Sequence, residues 1–208
     1  MNRFRVTFVA LVLAVGAAAR AQTPPPPAPD LAPRHKGFFL RMDGGFGYLG
    51  SSASQGGLSV SVNGFSSQFG VAVGAAIVEN LILAGDFWGA IAWAPSVTVS
   101  GGTANGGSVS SNLIGIGPHV TYYFMPANVY VSVTPSVTWV SLSYADQTAS
   151  TKAGFGMKFA LGKEWWVGSH WGLGIAGQFM FSLNEDQGTN PPTWTSFAGG
   201  VSFSATLN

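Results

Sequence analysis

From Gly37 to the end of the chain, apolar residues alternate with small or polar ones at a period of two. Phe38, Leu40, Met42, Phe46 and Tyr48 fall on one face, and Phe39, Arg41, Asp43, Gly45 and Gly47 on the other. Successive side chains of a β-strand point to opposite sides, so the pattern predicts strands with one apolar face and one small or polar face. Seven further stretches read the same way: Phe65–Ile77, Leu81–Trp93, Ile114–Phe124, Val129–Thr138, Ala153–Leu161, Trp171–Phe181 and Phe197–Leu207. No stretch after residue 37 has the 18 consecutive apolar residues of a transmembrane helix.

The connections between these stretches alternate in length. Short ones lie at Val78–Asn80, Pro126–Ala127 and Gly168–His170, and long ones at Ser51–Asn63, Ala94–Ser108, Ala145–Ser150 and Glu185–Pro192. Short turns at one end and longer loops at the other are the layout of an outer-membrane barrel whose termini are both periplasmic. The expected fold is therefore all-β, an eight-stranded antiparallel up-and-down transmembrane β-barrel over residues 37–208. The turn at Pro126 brings Pro118 opposite Pro135. Neither proline can donate to a ladder, so a bulge or a lost hydrogen bond is expected there.

Charge decides which face meets which medium. Charged residues make up 8% of the 208 residues and hydrophobic ones 47%, with a mean hydropathy of +0.30. A soluble barrel such as a lipocalin turns its apolar face inward and needs a charged exterior, which this chain cannot supply. The apolar face is expected outside, against lipid, and the small face inside, where an eight-stranded barrel is narrow. Aromatic residues fall in two bands. Phe38, Tyr122, Phe124, Trp165 and Trp171 lie toward the short turns; Tyr48, Phe65, Trp93, Trp139 and Trp194 lie toward the long loops. Two such girdles mark the two membrane interfaces.

The amino terminus reads as an export signal. Arg3 and Arg5 precede the apolar run Val6–Ala19, and Ala19-Arg20-Ala21 has the A-x-A form of a cleavage site. As a helix the apolar run rises about 21 Å, short of a hydrocarbon core of about 30 Å. Residues 1–21 are expected to be a signal peptide and residues 22–36, opened by the Pro24–Pro27 run, an extended periplasmic tether. Cleavage takes the formal charge from +1 to −2, so no basic nucleic-acid surface is expected. The chain has no cysteine, which excludes disulfides, thiolate metal sites and a cysteine nucleophile.

The candidate chemistry lies on the inner face. Arg41, Asp43, Asp86, Lys158 and Glu164 all point there, with His119 and Gln178 placed to join by hydrogen bonding. Charges inside a barrel must pair or reach water, so the group reads as a structural plug or, alternatively, as a gate across a narrow channel. His119 as a catalytic base is the weaker alternative, because the many serines offer no recognisable spacing and an inward histidine does not reach lipid. No catalytic residue and no cofactor are expected. His35 in the tether and His170 in a turn leave no three-histidine metal site. Gly172-Leu173-Gly174-Ile175-Ala176-Gly177 matches a dinucleotide-binding string, but it lies inside a strand with no helix after it; its glycines are expected to line the lumen.

Eight alternating stretches, alternating turns and loops, and a signal peptide resemble the small eight-stranded bacterial outer-membrane β-barrels, such as the transmembrane domain of outer membrane protein A and outer membrane proteins X and W. Gly162-Lys163-Glu164-Trp165-Trp166-Val167 followed by Trp171-Gly172-Leu173-Gly174 looks like their sixth-to-seventh-strand hairpin. The resemblance implies a monomer in the outer membrane of a Gram-negative cell. Its partners would be outer-membrane lipid and, during biogenesis, the barrel assembly machinery. Many such barrels end on an aromatic residue, whereas this chain ends Thr206-Leu207-Asn208. A structural role, or surface contact through loops such as Gly101–Gly107, is the expected function. A narrow channel for small solutes is the runner-up, followed by a lipid-modifying barrel enzyme and a soluble binding barrel.

Overall fold

The computed structural model describes residues 34–100, 102–105, 109–145 and 147–208. The signal peptide and the tether up to residue 33 lie outside them. Among the described residues there are eleven strands: β1 Phe38–Gln55, β2 Leu58–Val78, β3 Leu81–Trp93, β4 Ser96–Val99, β5 Gly102–Asn105, β6 Val109–Phe124, β7 Val129–Tyr144, β8 Gln147–Ser150, β9 Gly154–Trp166, β10 Trp171–Glu185 and β11 Thr193–Leu207. Eight of these, β1, β2, β3, β6, β7, β9, β10 and β11, pair with their chain neighbours in antiparallel register. β1 also pairs with β11, from Leu40↔Leu207 to Ser52↔Thr195, which closes the sheet into an eight-stranded barrel. The remaining three are short pieces at the long-loop end, where β4 pairs with β2 and β5, and β8 with β7.

Alternation along each strand sorts the side chains as the sequence predicts. Phe46, Phe65, Phe87, Val137, Leu161, Leu173, Phe179, Val201 and Phe203 are exposed on the outside, an apolar surface suited to hydrocarbon rather than water. Phe38, Tyr122, Phe124, Trp165 and Trp171 are exposed toward the short turns, and Tyr48, Phe65, Trp93 and Trp139 toward the long loops. Trp194 departs from the expected girdle and is buried. The even positions of β11 face inward, so Trp194 packs on Ala53 and Val62 and donates from Nε1 to Asp186 Oδ2 at 3.1 Å.

The expected loop at Ser51–Asn63 is not a loop. β1 continues to Gln55 and β2 begins at Leu58, with Gly56 and Gly57 at φ +59° and +83° making a two-residue turn. Two consecutive positive φ values are what a tight hairpin turn requires and what glycine supplies without strain. Serine and glycine suggested a loop by composition, but Ser59-Val60-Ser61-Val62 keeps the alternation. At 18 and 21 residues β1 and β2 exceed the about 9–11 needed to cross a membrane, so this hairpin projects at the long-loop end.

The proline pair behaves as expected. The β6–β7 ladder runs to Ile116↔Val137, lapses, and resumes at Val120↔Val133, in the register that sets Pro118 opposite Pro135.

The interior is more apolar than its small-residue face suggests. Trp88, Leu49, Leu113, Val140 and Met180 form a buried layer on the long-loop side, where Trp88 Nε1 donates to Ser136 Oγ at 2.9 Å. Phe39, Ile82, Tyr123 and Tyr130 form a second layer toward the short turns. Room for the indole comes from a neighbouring strand, since a Cβ at Gly115 would sit 2.4 Å from the Trp88 ring. Gly115→Val is expected to destabilise the barrel by about 1–3 kcal/mol through overpacking, read as a lower urea midpoint for the heat-sensitive gel shift of refolded protein.

Candidate functional site

The charged residues lie beside the aromatic layer of the short-turn side, with Arg41 over the rings of Phe39, Tyr123 and Tyr130. Strand alternation aims all of them inward, and the register brings them to two adjoining depths. Toward the short turns Arg41 on β1 meets Glu164 on β9, with Nη2 3.1 Å from Oε1. Glu164 also accepts from Tyr123 at 3.1 Å and from Thr206 at 2.7 Å. The Arg41 guanidinium lies 4.0 Å over the Tyr130 ring and donates to the Tyr123 hydroxyl and, at 3.4 Å, to Thr206. The pair is thus desolvated but held by several hydrogen bonds and a cation–π contact, which is how a buried ion pair is tolerated.

The second group is Lys158 with two aspartates. Its Nζ is 2.9 Å from Asp86 and 3.8 Å from Asp43. Asp86 also accepts from Thr134 Oγ1 at 3.1 Å. With that hydroxyl proton committed to Asp86, Thr134 accepts from His119 Nδ1 at 2.7 Å. In the neutral ring Nε2 is then the acceptor, and Thr121 donates to it at 2.6 Å. The lapse of the ladder around Pro118 and Pro135 lies beside this chain of bonds.

Six of the seven expected residues therefore join in two ion-paired groups: Arg41 with Glu164, and Asp43, Asp86, His119 and Lys158 together. Gln178 reaches the same place differently. With Arg41, Asp43, Asp86, His119, Lys158 and Ser202 it lines a void of about 10 Å³, the room of one water molecule. Sequence reasoning missed Tyr123, Tyr130, Thr134 and Thr206. Their inward parity was legible, but their partners depend on register between distant segments.

Close packing extends to the backbone. A Cβ at Gly70 would lie 2.4 Å from Asp43 Oδ2 and 2.9 Å from Lys158 Nζ, and one at Gly162 would lie 2.6 Å from the Tyr130 ring. Gly172 and Gly174 face Glu164 as the lumen-lining reading expects. Gly177 corrects that reading: it lies on the outer face of β10, where an added Cβ would meet nothing within 4 Å. Gly174 is two steps from Gly172 and Gly177 five, so the string cannot keep one face of a strand.

The short-turn mouth is closed by a residue expected in the tether. His35 is fully buried; its ring stacks on Tyr123 at 3.4 Å and 12°, with Trp166 4.9 Å away. Its Nε2 donates to Asn128 Oδ1 at 2.8 Å, and its carbonyl accepts from Asn80 N at 3.1 Å. On either side Arg34 and Lys36 pair with Glu79 at 2.6 and 2.7 Å. Hydrogen bonds from Lys36 and Arg34 hold the Glu79 carboxyl below its ordinary value. That contribution to docking is present above the ordinary carboxylate range and is lost as pH falls through the lowered one. Proline-rich sequence signalled a tether, whereas the tertiary contact of residue 35 left no local signal.

A closed eight-stranded barrel with an apolar exterior and an ion-paired interior has the architecture of the outer-membrane β-barrels. Among solved structures the chain is similar to the outer membrane protein OprG of Pseudomonas aeruginosa, with 14% identity, TM-score 0.52, and 84% of this chain and 98% of that one covered. It is also similar to Neisserial surface protein A, at 18% identity and TM-score 0.48 over 79% of this chain and 95% of that one. A third is the outer membrane protein AlkL, at 14% identity and TM-score 0.47 over 90% and 97%. At 14% identity the likeness to OprG bears on the fold and on nothing finer. No family model matches the sequence, and no curated protein matches it significantly.

Glu164→Ala leaves the Arg41 charge buried and unpaired and should cost about 3–5 kcal/mol in urea unfolding, whereas Arg41→Met with Glu164→Leu recovers most of that loss. At the mouth, His35→Ala should speed tryptic cleavage after Arg34 and Lys36 in the folded barrel, and Asn128→Ala should do the same. An unchanged rate would mean that the ring does not hold the segment.

Proposed function

We propose that the chain is a closed, monomeric outer-membrane barrel with a structural or surface-contact role and no open pore. Residues 1–21 are its cleaved signal peptide, and the termini and short turns face the periplasm. The long-loop end, with the projecting β1–β2 hairpin, faces outward and carries the surface contacts. Outer-membrane lipid surrounds it, and the barrel assembly machinery inserts it. The observation that carries this reading is the filled lumen. Two ion-paired groups and two apolar layers fill it, and the void among the charged residues is about 10 Å³. A hydrated ion needs a continuous wet path, which the Trp88–Leu49–Leu113–Met180 layer interrupts.

The same closure argues against catalysis. Thr121, His119 and Asp86 place a hydroxyl, an imidazole and a carboxylate in sequence, the components of an activated nucleophile. All three are 2% exposed or less, and the adjoining void admits no lipid substrate. Nothing in the geometry favours the soluble barrel, whose exterior would be polar.

The test is single-channel recording of refolded residues 22–208 in a planar bilayer, with folding verified by the gel shift on heating. Silence from folded protein is the expected outcome. Discrete, reproducible openings would replace the plug by the narrow channel and turn the Arg41–Glu164 and Lys158–Asp86 pairs into its gate.

A further inference from the structure

The outer wall carries an apolar depression. Where β7, β9 and β10 adjoin, a groove of about 490 Å³ runs over the lipid-facing surface, lined by Val131, Phe159, Leu161, Gly177 and Phe179. Its depth comes from Gly177. In register with Leu161 on β9, a side chain here would stand beside Phe179 and fill the groove, but an added Cβ meets nothing within 4 Å. The groove continues past Val131 and Phe159 into a second depression of about 240 Å³ bounded by Val120 and Tyr122.

A cation lies at one end of it. Lys163 is two residues from Leu161 on the same outward face of β9, in register with Val129 and Ile175. Two residues of strand span about 7 Å. Among the described residues, the other charged side chains of the barrel strands point inward, save Glu185 at the opposite end of β10. The Lys163 ammonium reaches toward the short-turn rim, donating to the Ala127 carbonyl and lying 5.6 Å over the Trp165 ring. This is the posture of a lysine whose stem lies along apolar surface while its head seeks the polar interface. Trp165 and Trp171 mark that interface in the aromatic girdle.

An apolar groove at hydrocarbon depth ending on an ammonium at headgroup depth matches one kind of occupant. We propose that this face binds a glycerophospholipid, with an acyl chain in the groove over Gly177 and the headgroup phosphate on Lys163. The assignment rests on the membrane-spanning reading, and it names a lipid held at a fixed position rather than bulk solvent for the barrel. A phosphate accepts two further bonds from the ammonium, which has three donors and uses one on Ala127.

The test uses residues 22–208 refolded in detergent micelles, verified by the gel shift, titrated with phosphatidylglycerol and read by native mass spectrometry. Wild type should retain one lipid. Lys163→Gln should lower its occupancy about tenfold, the effect of losing a charge-assisted hydrogen bond. Gly177→Phe should abolish retention with Lys163 in place, and Lys152→Gln, at the far end, should leave it unchanged. Folded Lys163→Gln and Gly177→Phe proteins that hold the lipid as wild type does would overturn the site and leave the membrane reading intact. A wild-type chain that stays in water when mixed with phosphatidylglycerol vesicles would overturn both.

Discussion

Lipid offers no hydrogen bonds, so each backbone N–H and C=O in the hydrocarbon must find its partner within the protein. For strands the solution is closure, and here closure depends on the ladder between β1 and β11, the first and last strands of the barrel. Once eight strands close, the lumen radius is set and the interior must be filled by side chains rather than water. The ion pairs, the aromatic layers and the inward glycines are consequences of that one constraint. Where the ladder lapses, at Pro118 and Pro135, side chains of Asp86, His119 and Thr134 form a hydrogen-bonded chain across the same strands.

Filling a narrow lumen sets bulk against absence. Trp88 lies over Gly115, Tyr130 over Gly162, Glu164 against Gly174, and Asp43 with Lys158 over Gly70. Each pair joins a large or charged residue to a glycine on another strand, so the glycine content is the complement of the lumen's large side chains rather than a sign of flexibility. The charges are admitted on the same terms. Arg41 is tolerated because Glu164, Tyr123, Thr206 and the Tyr130 ring meet it together. Removing one partner leaves a charge that nothing else in the lumen can compensate.

The side of the wall each residue takes was legible in the sequence, because period two needs no knowledge of neighbours. Arg41, Asp43, Asp86, His119, Lys158, Glu164 and Gln178 all lie inside as parity requires. Who meets whom was not legible. Arg41 and Glu164 are on strands that do not pair with each other, and their contact follows from tilt and register across the lumen. Parity would also have placed Trp194 inside; aromatic type alone suggested a girdle. His35 lay beyond reach for a different reason. It belongs to no strand, and its burial depends on Tyr123, Asn128 and Trp166, which meet only after β6, β7 and β9 have assembled.

The two faces of the wall use glycine and charge in opposite senses. Inside, a glycine is crowded, and each charge is matched by an opposite one within the lumen. Outside, Gly177 faces open space and Lys163, among the described residues, has a carbonyl and an indole for company but no carboxylate. A cation on a lipid-facing surface is costly unless it reaches the interface, and the cost falls with depth toward the rim. A wall that needed only to be greasy would carry Leu or Val at both positions. A missing side chain in register with Leu161 and an ammonium one turn of the pleat away together shape a surface with a chemical polarity along the membrane normal, matched to an amphiphile and not to bulk hydrocarbon.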